Sequence, residues 1–508
     1  MAFHRKIPKK CKNDRGEDGV MKFTSTRNAQ LSVSSAQAIL QGLSADGGLF
    51  VPTEFPKMDL KTLCELDYCS LAENILGSFL TDYDPAFLKQ AVGEVYSAAF
   101  GDKAGYVQPV NASLGSLELW HGPTCAFKDY ALQMMPRLLV QARKMLGSTD
   151  TTLILVATSG DTGKAALEGY KNLEGIRMQV FYPTGGTSEI QRLQMATQEG
   201  DNVAVYAVKG NFDDAQSGLK KVFADRAITA QLAEKDISLS SANSINWGRL
   251  VPQVVYYFYA YGQLVKQQRI ALGDAVDFCV PTGNFGDILA GWYAKQMGLP
   301  VNKLICASNK NNVLTDFLRT GTYNAKREFF KTTSPSMDIL ISSNLERLLY
   351  HVSGGDSTLV AKLMQQLAET GSYTVPENML AAIQKDFAAD CADDAQAAQE
   401  ILLRWQQDAY LCDPHTAVAF RAAQAQSKAA QCVVLSTASP YKFPAAVLQA
   451  LGKKVPANDF DALRLLSETT GTKPPVQLSA LENKKERFTK VIDRTQIADA
   501  ALGQIAAE

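Results

Sequence analysis

A lysine within an apolar stretch is the strongest candidate nucleophile in this 508-residue sequence. Lys128 lies in the segment HGPTCAFKDY, next to Phe127 and close to Tyr130. If its side chain is buried, desolvation lowers its pKa, and the neutral amine can attack a carbonyl carbon to form a Schiff base. If it lies on a helix surface, as most lysines do, it has no chemical role. The sequence leaves both alternatives open.

A loop with two glycines is suited to binding a phosphate group. We call TGNFGD, residues 282–287, the glycine loop. Glycines let backbone N–H groups approach an anion closely, and the helical stretch that follows adds unpaired N–H groups and a favourable dipole. An ordinary tight turn is the alternative. The candidate residues of this site are Gly283, Asn284, Phe285, Gly286 and Asp287.

A second polar loop, ATSGDTG at residues 157–163, is called the serine loop. Its hydroxyl and backbone donors stand at the start of another helical stretch and suit a carboxylate or a phosphate. It is not a nucleotide-binding P-loop, because only two residues separate its glycines and Ala165 stands where Ser or Thr is required. The candidate residues in this loop are Ser159, Gly160, Asp161 and Thr162.

Hydrogen-bond donors also cluster in SSANSINWGR, residues 240–249, which we call the arginine loop. It runs into an apolar helical stretch. Arg249 can hold a phosphate or carboxylate through two parallel hydrogen bonds, which predicts a second anion site. A capped helix start with a surface arginine is an equally good alternative. The candidate residues here are Asn243, Ser244, Asn246 and Arg249.

Composition argues against several other classes of chemistry. The nine cysteines are scattered without a C-x-x-C pair, and none of the four histidines has metal-ligand spacing, so a metal site or disulfide framework is not supported. The expected compartment is the reducing cytoplasm. With 51 basic and 52 acidic residues, the chain has no net field that would favour nucleic acid or membrane as partners. No apolar run is long enough to span a bilayer.

The elements that must position these loops follow an alternating pattern. Strands are predicted at 151–157, 178–182, 202–208, 277–281, 304–307 and 432–436, most of them followed by helical stretches. This alternation predicts an α/β fold with mostly parallel sheets. Ligands of such sheets bind beyond the carboxyl ends of the strands, where the three loops lie. Thr437, directly after the last strand, joins the candidates.

The pattern divides the chain into four parts. Residues 1–20 are basic and are expected to be a disordered leader or a tag-like extension. Residues 21–110 are predicted to form a helical N-terminal domain. Residues 111–270 are predicted to form a smaller α/β lobe, with the lysine and the substrate loop. Residues 271–508 are predicted to form a larger α/β lobe, with the glycine loop and C-terminal helices, including a helical stretch at 355–410.

Six ordered segments resemble one enzyme family. HGPTCAFKD, ATSGDTG, SANSIN, PTGNFGD, DPHTAV and STASPYKF occur in the order found in the threonine synthase family, over about residues 21–451. This family consists of pyridoxal-phosphate enzymes of the tryptophan-synthase-β-like fold, fold type II. The sequence departs from the family pattern at Ser439, where many relatives have a histidine.

The resemblance implies a role for each candidate. Lys128 is similar to the family's Schiff-base lysine, which also moves protons, and the glycine loop is similar to the loop that holds the cofactor phosphate. The resemblance also implies that Asp161 stands where relatives have an Asn or Asp beside the pyridoxal ring hydroxyl, and that Thr437 matches their hydroxyl residue near the ring nitrogen. The substrate-binding residues implied for the carboxylate are Ser159, Gly160 and Thr162, and those implied for the phosphate are Asn243, Ser244, Asn246 and Arg249.

The implied activity is that of a carbon–oxygen lyase that converts O-phospho-L-homoserine and water to L-threonine and phosphate. A phospho-lyase that yields 2-oxobutanoate, ammonia and phosphate is the alternative, and a non-catalytic binding relative is disfavoured because Lys128 is retained. The expected partner is the small-molecule substrate, and the expected state is a monomer or a homodimer. His121, His415, Cys125 and Cys279 are expected to be packing or supporting residues.

Overall fold

The N-terminal part of the chain combines a small sheet with five helices. The computed structural model describes residues 19–185 and 187–507, so residues 1–18 of the expected leader lie outside it. The elements before residue 110 are β1 (Phe23–Ser25), β2 (Asn28–Val33), α1 (Ser35–Gln41), β3 (Phe50–Pro52), α2 (Leu60–Glu65), α3 (Tyr68–Phe79), α4 (Pro85–Val92), α5 (Ala98–Phe100) and β4 (Tyr106–Pro109). Strands β1, β2 and β3 form an antiparallel sheet in the order β2-β1-β3. The prediction of a helical N-terminal domain missed this sheet, because its strands are short and β3 pairs with β1 across the intervening α1.

The middle of the chain alternates strands and helices. Its elements are β5 (Leu114–Glu118), α6 (Asp129–Leu132), α7 (Met135–Met145), β6 (Thr151–Ala157), α8 (Asp161–Tyr170), β7 (Ile176–Pro183), α9 (Glu189–Ala196), β8 (Val203–Val208), α10 (Phe212–Ala224), α11 (Arg226–Ala233), β9 (Ile237–Ser240) and α12 (Trp247–Lys266). Helix α12 is buried along most of its length, which explains why its sequence is apolar on nearly every side.

The last part continues the alternation and ends in helices. Its elements are β10 (Val276–Pro281), α13 (Gly286–Gln296), β11 (Val301–Ser308), α14 (Val313–Thr320), β12 (Thr322–Asn324), α15 (Leu345–Val352), α16 (Ser357–Thr370), β13 (Ser372–Thr374), α17 (Glu377–Asp386), β14 (Phe387–Cys391), α18 (Asp394–Asp408), α19 (Pro414–Gln426), β15 (Cys432–Ser436), α20 (Pro444–Ala450), α21 (Asp459–Thr470), α22 (Val476–Ser479), β16 (Val491–Ile492) and α23 (Ile497–Ala501). Strands β13 and β14 interrupt the stretch predicted as helical at 355–410.

Two mostly parallel sheets form the core of the fold, as predicted. The larger has six strands in the order β14-β11-β10-β15-β5-β4, with only β4 antiparallel to its neighbour. The smaller has five parallel strands in the order β16-β8-β7-β6-β9. The carboxyl ends of parallel strands share one edge of a sheet, so loops distant in sequence are brought together there.

The sheets do not divide the chain at the predicted lobe boundaries. Strand β5 was assigned to the smaller lobe, but it pairs with β15 in the six-stranded sheet. Strand β16 was assigned to the larger lobe, but it pairs with β8 in the five-stranded sheet. The chain therefore crosses between the sheets more than once. Local sequence patterns carry no record of such crossings, because strand pairing depends on contacts hundreds of residues apart.

Side-chain caps fix the ends of the helices that border the site. Asn246 caps α12 by accepting a hydrogen bond from the N–H of Gly248 at 2.8 Å. Asp413 caps α19 by accepting from the N–H groups of His415 and Thr416 at 3.0 and 3.1 Å, with a proline at the first helical position. In the described part of the chain no helix is long and apolar enough to cross a membrane.

Candidate functional site

Lys128 lies in a turn that is bound to the end of strand β15. The N–H of Phe127 donates to the carbonyl of Thr437 at 2.9 Å, and the N–H of Ser439 donates to the carbonyl of Cys125 at 3.2 Å. Cys125 itself adopts a left-handed conformation with φ of 58°. Because β5 and β15 are adjacent parallel strands, their following loops meet. This places Lys128 and Thr437, two of the predicted site residues, side by side.

The amine of Lys128 is buried. The residue is only 9% exposed, so the alternative of a surface lysine is wrong. Its Nζ donates a hydrogen bond to Ser336 Oγ at 3.0 Å and lies 3.7 Å from Asp161 Oδ2. Burial lowers the pKa of Lys128, and the carboxylate of Asp161 opposes this only in part. The neutral, nucleophilic form of the amine is therefore more accessible here than on a surface.

Asp161 is a buried carboxylate between two lysines. Lys442 Nζ lies 2.7 Å from its Oδ1, and Gln191 Nε2 donates to the same oxygen at 2.9 Å. Burial by itself would raise the pKa of Asp161, but Lys442 and Lys128 together hold it well below its ordinary value. Asp161 therefore remains ionised throughout the working pH range and balances the positive charge of its neighbours.

Sequence reasoning missed Lys442. Its side chain is completely buried, and its Nζ also donates to the carbonyl of Thr124 at 3.0 Å, in the turn that carries Lys128. Ser439, which replaces the histidine of many relatives, accepts from the N–H of Tyr441 and so begins the short turn that presents Lys442. A lysine between two aromatic residues, in YKF, was the signal available in the sequence.

The glycine loop has the geometry of an anion site. Phe285 is left-handed, with φ of 62°, immediately before the first residue of α13. A Cβ on Gly283 would stand 2.6 Å from the carbonyl oxygen of Ser336, so no larger residue fits there. Among the described residues, the N–H groups of residues 283–286 have no hydrogen-bond acceptor. Four unpaired backbone donors at a helix N-terminus fit a phosphate group.

The side chains of Asn284 and Asp287 in the glycine loop differ in burial. Asn284 is exposed, and its carbonyl accepts from the N–H of Asn344 at 3.1 Å. Asp287 is buried in the first turn of α13, and its Oδ1 accepts from the N–H of Ile288 at 2.9 Å. Burial raises the pKa of Asp287 to about 7. A carboxyl group that is partly protonated near neutral pH repels a nearby phosphate less than an ordinary aspartate does.

The serine loop begins α8 in a strained conformation. Gly160 has φ of 140°, which side chains disfavour. Thr158 Oγ1 accepts hydrogen bonds from the N–H groups of Gly160 and Gly163 at 3.0 and 2.9 Å. These two bonds, together with the backbone conformation of Gly160, fix the shape of the loop. The half-buried hydroxyl groups of Ser159 and Thr162 have no hydrogen-bond partner within residues 19–185 and 187–507. These two hydroxyls are therefore available to a ligand.

Arg249 in the arginine loop is a buried cation. It is 6% exposed, its Nη1 donates to the carbonyl of Ala242 at 2.9 Å, and its Nε has no partner. Among the described residues no carboxylate lies within ion-pair distance of its guanidinium. Burial lowers its pKa to about 10. Its positive charge also lowers the pKa of Lys128, so the two cations lie within electrostatic range of each other. A buried guanidinium without a counterion fits an anionic ligand.

The other residues predicted in the arginine loop divide into two groups. Asn243 is exposed and Ser244 half-buried at the start of the loop. Asn246 was predicted to bind substrate, but both ends of its amide already have structural partners. Its Oδ1 caps α12, and its Nδ2 donates to the carbonyl of Ile39 at 2.9 Å. Asn246 therefore caps α12 and joins it to the N-terminal region, while the second N–H of its Nδ2 leaves its role in binding substrate as a prediction.

A junction that the sequence did not reveal connects the two anion-binding loops. Asn344 Nδ2 donates to the carbonyl of Ser244 at 3.3 Å and to that of Asn284 at 3.0 Å. Arg347, completely buried, donates through Nε to the carbonyl of Phe50 at 2.9 Å and hydrogen bonds Asn344. This junction holds the glycine loop and the arginine loop in one fixed arrangement against the N-terminal sheet.

The remaining candidates are supporting residues, as expected. His121 Nε2 lies 2.7 Å from Glu118 Oε2, and its ring contacts Trp120. His415 is buried and contacts Asp413 and the N–H of Ser336. Burial raises the pKa of Cys125 to about 12, so its thiol is not a nucleophile. The eight described cysteines are all free, and the described residues contain no cluster that could hold a metal ion.

Three protein-family models match the chain in succession. The model described as "Threonine synthase N terminus" matches residues 22–96, and "Pyridoxal-phosphate dependent enzyme" matches residues 117–437. The model "Threonine synthase, C-terminal" matches residues 416–500. The second match contains every candidate residue described above, and together the three matches span most of the chain.

Curated relatives carry two different names. The chain is 40% identical to "Threonine synthase-like 1" of Homo sapiens over 471 residues, covering 89% of this chain and 62% of that protein. It is 38% identical to "Threonine synthase" of Pseudomonas aeruginosa over 443 residues, covering 86% of this chain and 92% of that protein. The chain thus spans less than two thirds of the length of the threonine synthase-like 1 proteins.

Solved structures share the whole fold. The pyridoxal-phosphate-bound threonine synthase from Brucella melitensis superposes with a TM-score of 0.85 at 37% identity, covering 95% of this chain and 99% of that one. Threonine synthase from yeast also superposes with a TM-score of 0.85, at 33% identity, covering 96% and 99%. The chain therefore shares its fold with these two enzymes, one of which was solved with pyridoxal phosphate bound.

Proposed function

Because the chain belongs to the threonine synthase family of pyridoxal-phosphate-dependent enzymes, we propose that it converts O-phospho-L-homoserine and water to L-threonine and phosphate. Its cofactor is pyridoxal phosphate. We propose that the amine of Lys128 holds the cofactor aldehyde and that the free N–H groups of residues 283–286 hold its phosphate. Thr437 and Asp161 then flank the ring.

The reaction needs a base, an electron sink and three anion sites, for the cofactor phosphate, the substrate phosphate and the substrate carboxylate. When bound, pyridoxal phosphate supplies the electron sink for charge that develops on the substrate carbon atoms. Lys128 would supply the base once the substrate's own amine has released it from the cofactor aldehyde, because its buried amine would then be held close to the reacting carbons and need no collision with solvent species. Asp161 balances positive charge at this position. Thr437 presents a neutral hydroxyl and does not force protonation of a ring nitrogen as a carboxylate would.

The buried guanidinium of Arg249 is the observation that supports the substrate class. Its Nε has no hydrogen-bond partner, its charge has no counterion among the described residues, and it lies within electrostatic range of Lys128. An O-phosphorylated amino acid brings a phosphate that Arg249 can bind, while the hydroxyls of Ser159 and Thr162 bind the carboxylate. Both ends of the substrate then have donors, and the carbons between them lie near Lys128.

A product assay with O-phospho-L-homoserine tests this proposal. Phosphate, threonine and 2-oxobutanoate are measured together in one incubation with the cofactor-loaded protein. We expect phosphate and threonine in equal amounts, and no product from Lys128→Ala. Replacing Arg249 by Lys keeps the charge but loses the two-point grip, so KM should rise at least about tenfold while the visible absorbance of the cofactor is retained. Release of no threonine would refute the proposed activity.

The second candidate is a phospho-lyase that releases 2-oxobutanoate, ammonia and phosphate. The chain is 40% identical to a protein named threonine synthase-like 1 and 38% identical to a protein named threonine synthase. Because these identities are nearly equal, they do not favour one activity, and the second candidate stays open. Both reactions use the same cofactor site and the same substrate phosphate. Formation of 2-oxobutanoate without threonine in the same assay would assign the chain to this activity instead.

The compartment and the assembly are also proposals. The eight described cysteines are free, which supports the reducing cytoplasm as the compartment. A monomer or a homodimer is the proposed assembly, with the small-molecule substrate as the partner.

A further inference from the structure

Ser336 contacts the amine of Lys128, although 208 residues separate them in sequence. Its hydroxyl accepts a hydrogen bond from Lys128 Nζ at 3.0 Å. Its carbonyl oxygen packs against Gly283, where a Cβ would approach to 2.6 Å. Residue 336 thus lies between the amine and the glycine loop. None of the roles proposed above involves this contact.

A buried aspartate–histidine pair fixes the position of Ser336. His415 Nε2 accepts from the backbone N–H of Ser336 at 3.2 Å, and its Nδ1 lies 2.5 Å from Asp413 Oδ2. A backbone N–H only donates, so Nε2 must be unprotonated and Nδ1–H must donate to Asp413. Asp413 is itself held by capping α19, and both side chains are buried. The pair therefore presents one rigid acceptor to Ser336.

We propose that Ser336 is a positioning residue for Lys128. The hydroxyl of Ser336 accepts a hydrogen bond from the ammonium form of Lys128 and holds its Nζ towards the glycine loop. The Asp413–His415 pair sets the place of this hydroxyl. The charged groups that face Lys128 are Asp161, Lys442, Arg249 and Asp287. Two of them are cations and disfavour the ammonium form, so a further acceptor has a measurable effect on its protonation.

The proposal rests on Lys128 being the cofactor lysine and not on the identity of the substrate. The apoprotein is mixed with pyridoxal phosphate at a series of pH values, and the rate of uptake is followed by visible absorbance. The pH profile of this rate reports the pKa of Lys128, because the neutral amine is the reactive form. A hydrogen bond that stabilises the ammonium raises this pKa. For Ser336→Ala we expect the midpoint of the rate profile to move to lower pH by about one unit. Ser336→Thr keeps a hydroxyl and should restore the wild-type midpoint.

His415→Asn tests the second part of the proposal. The shorter amide reaches the position of Nδ1 and can bind Asp413, but it has no acceptor at the position of Nε2. We expect its midpoint to move in the same direction as that of Ser336→Ala. Combining the two substitutions should add little, because both act through one hydroxyl. Thr333→Val is the matched control. It removes a hydroxyl that bonds Asp394 at 2.9 Å in the same segment, and its midpoint should be unchanged.

The outcomes separate this inference from the assignments on which it rests. A Ser336→Ala midpoint that coincides with that of the wild type, or lies at higher pH, overturns the inference. If Ser336→Ala does not fold, His415→Asn decides the question, and an unshifted midpoint there overturns it. If Lys128→Ala takes up the cofactor with the same absorbance and pH profile as the wild type, the role of Lys128 is wrong. Threonine formation is not part of this measurement.

Discussion

At the scale of single residues, the pair formed by Asp161 and Lys442 decides the charge of the site. Both side chains are buried, and their nearest atoms are 2.7 Å apart. Removing one member of such a pair leaves an uncompensated charge, which costs far more than losing an exposed pair. The pair therefore has a structural role as well as a role in holding Lys128.

Lys442→Met should destabilise the protein by about 3–5 kcal/mol, because it leaves the carboxylate of Asp161 buried with weaker partners. Urea unfolding of the apoprotein measures the loss. Adding Asp161→Asn should recover part of it, since the unpaired charge is then removed. Arg464→Met is the control: its ion pairs with Asp461 and Glu482 are exposed, so it should lower the free energy of unfolding far less than Lys442→Met does. A Lys442→Met variant as stable as this control would contradict the role assigned to the pair.

At the scale of elements, the start of α13 carries both the anion site and a buried carboxyl group. Phe285 turns the chain in a left-handed conformation so that the free N–H groups of the glycine loop point away from the protein's own acceptors. Asp287 follows within the first turn, with its pKa raised to about 7 by burial. The helix therefore holds a group that changes charge near neutral pH.

Asp287 should make the stability of the apoprotein depend on pH. Its pKa is higher in the folded than in the unfolded chain, so its protonation stabilises the fold fully below about pH 4, and this stabilisation is lost as the pH rises through about 7. The whole change is roughly 4 kcal/mol at most. Asp287→Asn should flatten the fall in melting temperature between pH 5 and pH 8. An equally steep fall in the variant would show that other groups cause it.

At the scale of the whole molecule, three distant parts of the chain meet at Asn344 and Arg347. The N-terminal sheet, the arginine loop and the glycine loop all present carbonyl groups to these two side chains. The loops proposed to bind the substrate and the cofactor consequently share one support. A change at this junction must affect both sites together.

Asn344→Ala should weaken cofactor retention and raise KM for O-phospho-L-homoserine, each by about tenfold, because one amide supports both loops. Dialysis of the loaded enzyme measures the first effect, and steady-state kinetics measure the second. Asn302→Ala is the control. It removes a hydrogen bond from β11 to Asp277 in β10 of the six-stranded sheet, away from both loops, and should leave both quantities unchanged. A variant that changes one quantity and not the other would disprove the shared support.

Local patterns in the sequence are enough to predict the α/β class and the three polar loops and to single out Lys128, although they leave open whether its side chain is buried. These follow from local patterns: apolar runs that end in glycines, hydroxyls or a lysine mark where strands end and ligands bind. Its family resemblance also pointed to the cofactor, which the comparisons support. The residues carrying these signals are neighbours in the chain, so their spacing can be found without a structure.

The side chains around Lys128 and the division of the chain between the two sheets could be found only from the folded chain. Ser336, His415 and Lys442 lie outside the three loops, and they reach the site because strands distant in sequence pair side by side. Asn246 has a typical donor side chain for an anion site, but the carbonyl of Ile39 uses its amide, more than 200 residues away. The physical reason is the same in each case: burial, pairing and charge balance depend on contacts that the folded chain makes, and these are not encoded in local spacing.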